Sequence, residues 1–129
     1  MKRSIFLVIG IIFIVVVGLM SLAANTTDPA EKLITITGLD EDWYGTNVGY
    51  PNGIELWAII FYPSATGDRM IIHDNGLDND EIFDSGIVAD QNDRTVFYCP
   101  PKMFVKPVID ISDCTIETAT SAVVKIYYR

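Results

Sequence analysis

The chain has 129 residues, enough for one domain and a short appendage. Its formal net charge is −8, and setting aside Lys2 and Arg3 near the N-terminus leaves −10 for the rest. A chain this acidic repels phosphate backbones, which excludes nucleic-acid binding through a basic surface.

The hydrophobic fraction of 50% is unevenly spread, because Ile5 to Ala24 form one apolar run interrupted only by Gly10, Gly18 and Ser21. Met1-Lys2-Arg3-Ser4 precede it and Ser21-Leu22-Ala23-Ala24 close it. A basic start, an apolar centre and a small-residue end make a secretory signal, with the cut after Ala23. Two readings stand. The small-residue end favours a cleaved signal, whereas a bilayer span needs about 20 apolar residues, so residues 5–24 would also serve as an uncleaved membrane anchor. Either way the remainder is extracytoplasmic, secreted or tethered. The expected organisation is a leader at 1–24, a polar linker at 25–32 and a folded domain at 33–129.

From Leu33 onward the apolar residues recur with period two, which predicts strands. The candidates are 33–37, 54–62, 69–74, 81–88, 95–99, 103–111, 115–118 and 122–128. Turn residues separate them: Pro51-Asn52-Gly53, Pro63-Ser64, Asn75-Gly76, Pro100-Pro101 and Ser112-Asp113. About 7–8 short strands predict an all-β fold, an antiparallel β-sandwich of jelly-roll type after an N-terminal apolar helix. Within 54–62, strict alternation puts Ile54, Leu56, Ala58, Ile60 and Tyr62 on one face and Trp57, Ile59 and Phe61 on the other. Both faces are apolar. The second therefore needs cover, and Trp57, Ile59 and Phe61 become candidates for a contact with another copy. Pro107 has no N–H to donate, which places its strand at a sheet edge or at a bulge.

Cys99 and Cys114 flank one intervening strand and fall on inward faces. They make either a disulfide suited to an oxidising compartment or two buried thiols. His73 is the only histidine, and the pattern predicts a surface residue rather than a ligand or base. Asp74, Asp78, Asp80 and Asp84 lie in an acidic stretch without Lys or Arg. Hard cations take six to eight oxygens, so these residues are the candidate ligands for calcium, and solvated acidic turns are the competing reading. The loop holding Trp43, Tyr44 and Tyr50 sets aromatic faces beside Asp42 and Asn47. Such a loop either stacks on a carbohydrate or folds back to cover the core. The chain has no nucleophile elbow, phosphate loop or dinucleotide fingerprint, so no catalytic residues are assigned.

Pro63-Ser64-Ala65-Thr66-Gly67-Asp68-Arg69-Met70-Ile71-Ile72-His73-Asp74-Asn75-Gly76 is followed by Glu81-Ile82-Phe83-Asp84, Met103-Phe104-Val105-Lys106-Pro107 and Ser121-Ala122-Val123-Val124-Lys125-Ile126-Tyr127. From Ile54 to Tyr128 this order resembles the small β-sandwich modules encoded among phage and prophage structural genes. The resemblance implies a non-enzymatic building block, often oligomeric, and no particular site residues. The leader departs from that pattern and favours an exported or membrane-tethered relative. The expected function is thus a structural or interaction module that associates with itself or with an extracytoplasmic protein. The alternative is an extracellular carbohydrate-binding module built on the aromatic loop.

Overall fold

The structure is a computed structural model and describes residues 25–74 and 80–129. The expected apolar helix at the N-terminus and the candidate ligand Asp78 lie outside the described residues. The fold is all-β, with two antiparallel sheets. In chain order the strands are β1 (Thr26–Asp28), β2 (Leu33–Thr37), β3 (Trp43–Tyr44), β4 (Ile54–Tyr62), β5 (Ile71–Asp74), β6 (Glu81–Asp84), β7 (Thr95–Val105), β8 (Pro107–Ile109) and β9 (Val123–Tyr128). One sheet has five strands in the order β1-β2-β9-β4-β7, and the other has four in the order β3-β8-β5-β6.

Alternation explains the centre of the five-stranded sheet. In β2 the side chains of Ile34 and Ile36 are buried and those of Leu33, Thr35 and Thr37 are half-buried. In β9 the same holds for Val124, Ile126 and Tyr128 against Val123, Lys125 and Tyr127. β-branched residues suit such pleated surfaces. The core joins residues of both sheets, among them Ile34, Ile59, Phe61, Ile72, Ile109 and Ile126.

The structure differs from the expected elements in several places. Residues 25–32, read as a linker, carry β1, which pairs with β2 through Thr26↔Thr35 and Asp28↔Leu33. The carboxylate of Asp28 accepts from the N–H of Ala30 and of Glu31, which closes the turn. The expected strand at 81–88 stops at Asp84, and 115–118 contributes only an isolated bridge, Arg69↔Thr115. Pro100-Pro101 does not separate two strands. On β4, Leu56 pairs with Met103 and Ala58 with Tyr98, so residues 99–102 bulge opposite Trp57 within β7. β7 is an edge strand of its sheet, where a proline pair leaves no outer neighbour short of donors. The expected strand 103–111 is split at Lys106. Its first part ends the five-stranded sheet and its second part, β8, lies in the other. Asp74 fixes that crossing by accepting from the Lys106 N–H at 2.6 Å.

Candidate functional site

β4 decides what the five-stranded sheet shows to solvent. Leu56 pairs with Tyr128 of β9 and Ala58 with Tyr127, so Trp57 is an extra residue, a β-bulge. The bulge shifts the alternation by one. Ile54, Leu56, Ile59 and Phe61 point into the core, and Glu55, Trp57, Ile60 and Tyr62 are the more exposed set. This corrects the expected interface set. Ile59 and Phe61 are 0% exposed, and only Trp57, at 47%, remains outside.

Register places the neighbours of this outer set. Ala58 lies between Tyr98 and Tyr127, Ile60 between Val96 and Lys125, and Glu55 beside Phe104. Tyr98 is 73% exposed and Phe104 63%. The rings of Trp57 and Tyr127 meet edge to face, with centroids 6.2 Å apart. Trp57, Ala58, Ile60, Tyr98 and Tyr127 line a shallow hollow of about 150 Å³. The charges among these residues are few. The Lys125 ammonium sits 5.4 Å from the centre of the Tyr62 ring, and Arg129 lies 3.5 Å from the Glu55 carboxylate. An otherwise acidic domain therefore carries one aromatic face with slight positive charge.

The four-stranded sheet is built the opposite way. The segment around a short 3-10 turn at Ile111–Asp113 binds to it. Arg69 and Thr115 exchange backbone hydrogen bonds, and the Ile71 N–H donates to the Cys114 sulfur at 3.5 Å. The carboxylate of Asp68, only 1% exposed, accepts from the N–H groups of Ser64, Ala65 and Glu117 and from the Ser64 hydroxyl. Burial alone would raise the pKa of Asp68, but these hydrogen bonds favour the charged form and hold it below the ordinary carboxylate value. His73 is not the expected surface residue. It is buried, with Nε2 3.2 Å from the Asp113 carboxylate.

The aromatic loop folds back. Trp43 pairs with Ile109 and is buried, so it cannot stack on a sugar. Tyr44 is half-buried, its hydroxyl at the limit of a hydrogen bond to Asp42. The Tyr50 hydroxyl donates to that of Tyr128 at 2.8 Å, and the two rings meet edge to face. Burial, then that hydrogen bond, push the Tyr50 pKa up to about 12. The expected ligand loop is a cover for the core.

The cysteines are free thiols, not the disulfide that an oxidising compartment invites. Cys99 lies in the bulge of β7, where burial pushes its thiol up to about 11. Cys114 lies against Met70 and against Ile71 of β5, 3.7 Å from the Met70 sulfur. The acidic residues do not converge. Asp84 grips the Arg69 guanidinium through two hydrogen bonds of 3.0 and 2.6 Å, Asp74 holds Lys106, and Asp80 is exposed. Among the described residues no group of three or more His, Cys, Asp or Glu is placed to hold a metal ion.

Comparison of the chain with protein-family models, curated proteins and solved structures finds no match. Among the described residues no helix is long and apolar enough to cross a membrane.

Proposed function

We propose that this chain is a non-enzymatic interaction module, exported or membrane-tethered through residues 1–24. Its two sheets form a jelly-roll-like β-sandwich that associates with a second copy through the outer face of the five-stranded sheet. The observation that carries this reading is the exposure of Trp57, Tyr98 and Phe104 around Ile60 and Tyr127 on one face. Aromatic residues in such a patch contribute most to contact energy once a partner excludes water. The face also carries little of the chain's negative charge, so two copies meet there without the repulsion that opposes contact elsewhere. The resemblance to phage-type building blocks agrees with it. The carboxylates Asp68, Asp74 and Asp84 are committed to structural hydrogen bonds rather than poised for proton transfer.

Light scattering on residues 25–129 tests the reading. A dimer is expected, and a monomer on changing Trp57 and Tyr98 to serine. A monomer of the unaltered chain at high concentration overturns it. Chelator leaves the mass unchanged, because Asp74 and Asp84 already have their partners.

The hollow beside Trp57 favours a second reading, an extracellular carbohydrate-binding module. Its aromatic residues are Trp57, Tyr98 and Tyr127 instead of Trp43, Tyr44 and Tyr50. A glycan array separates the two. Binding that Trp57→Ala removes, from a chain that stays monomeric, supports the carbohydrate.

A further inference from the structure

The two sheets end on neighbouring open edges. β6 is the last strand of the four-stranded sheet and β7 the last of the five-stranded one. Among the described residues each is paired on one side only, β6 with β5 and β7 with β4. An edge strand presents a row of N–H and C=O groups ready to pair with an added strand. Residues of both strands line one cleft, of about 330 Å³, with Glu81, Ile82, Phe83 and Asp84 on one wall and Thr95, Val96 and Phe97 on the other. That volume lies at the lower end of the roughly 300–1,000 Å³ typical of binding clefts. β6 is four residues long, so a strand laid along it spans about 13 Å.

The walls also specify chemistry. The rings of Phe83 and Phe97 lie 6.2 Å apart across the cleft, one buried and one half-buried, which gives the interior an apolar floor. Glu81 and Asp80 are exposed at one end. Arg69 pairs with Asp84, and Glu81 is the other carboxylate on the β6 wall.

We propose that this cleft takes an extended peptide segment of a protein partner, apolar at alternate residues and basic between them. Its backbone adds to β6 or β7, its apolar side chains reach Phe83 and Phe97, and its cations meet Glu81 and Asp80. Alternation follows from the strand period of two, which sends every second side chain inward. A second copy of this chain is a poor occupant, since its own net charge of −8 opposes approach to an acidic rim. The inference concerns a different surface from the outer face around Trp57 and does not depend on it.

The probes are three synthetic nine-residue peptides, and the readout is amide hydrogen exchange of the full chain. One peptide alternates valine with lysine, one alternates valine with glutamate, and one has the lysine peptide's composition with its valines in a block. At saturation the alternating lysine peptide should slow exchange in residues 81–84 or 95–97 by about tenfold. The other two should leave these amides unchanged. Three results would each overturn the proposal: unchanged exchange with the lysine peptide, equal slowing by the glutamate or block peptide, or slowing confined to the β1 edge. Protection of the same amides that rises with protein concentration, without peptide, assigns the cleft to a second copy and overturns the basic partner. Repeating the exchange on Trp57→Ser separates this inference from the outer-face reading. Loss of the dimer with peptide binding retained concerns the outer face alone.

Discussion

The two sheets solve the same problem differently. The five-stranded sheet has the longer strands, up to the nine residues of β4 and eleven of β7, and leaves aromatic side chains bare on its outer face. The four-stranded sheet has strands of two to four residues. Ile71, Ile72 and His73 are consecutive and all buried, so β5 is covered on both faces. The segment around residues 110–118 supplies the second cover, held by Arg69, Ser64 and Asp68. Short strands bury little by themselves and need a second layer. Long strands do not, which leaves one face available for a partner. Aromatic side chains are exposed on one sheet, whereas polar anchoring holds a covering segment on the other.

Four substitutions test that contrast. The largest effect is expected from Phe61→Ala in the shared core, a loss of about 3–5 kcal/mol in urea unfolding, because a fully buried ring leaves a cavity. Asp68→Ala strips the anchor from the covered sheet and leaves the N–H groups of Ser64, Ala65 and Glu117 without their acceptor. It should cost about 3 kcal/mol, with faster amide exchange around 111–118. Tyr50→Phe removes one hydroxyl bond to Tyr128 and should lower unfolding stability by about 1 kcal/mol. Trp57→Ser should abolish the proposed dimer, read by light scattering, and change the unfolding stability of the monomer by less than about 0.5 kcal/mol, since its ring is half exposed. A large stability loss at Trp57 with no change in mass would erase the difference between the two sheets.

The pH dependence follows from the carboxylates around the covered sheet. Asp68 lies below its ordinary pKa through its hydrogen bonds despite burial, and Asp84 does so chiefly through its hydrogen bond to Arg69. A depressed carboxylate contributes stability above its unfolded pKa of about 4, and that contribution is lost as pH falls through the folded value. The melting temperature should therefore hold near neutrality and drop below about pH 4. Asp68→Asn should show a shallower acid drop.

Much of the chain's layout was legible as one-dimensional pattern. β2, β4 and β9 follow from alternating β-branched and aromatic residues, and their burial in the structure repeats that alternation apart from the bulge. The all-β class followed from turn residues at short intervals. Two-residue β3 and three-residue β1 carry too few positions to show a period, whereas β8 falls inside the expected strand at 103–111. The candidate site was only half legible. Trp57 stood out in the sequence, but its assigned partners Ile59 and Phe61 went inside, because one extra residue reverses the face of everything after it.

Residue type and local spacing were enough for the acidic balance, the strand-forming pattern and the apolar N-terminal run. Strand pairing in the fold sets where β4 bulges, that Pro100-Pro101 lies within an edge strand, and that Cys99 and Cys114 stay apart. It also decided that Trp43 and Tyr50 cover the core while Tyr98 and Phe104 face solvent. Each of these depends on which strands become neighbours. Pairing register is set by contacts between residues distant in the chain, and no local pattern encodes it.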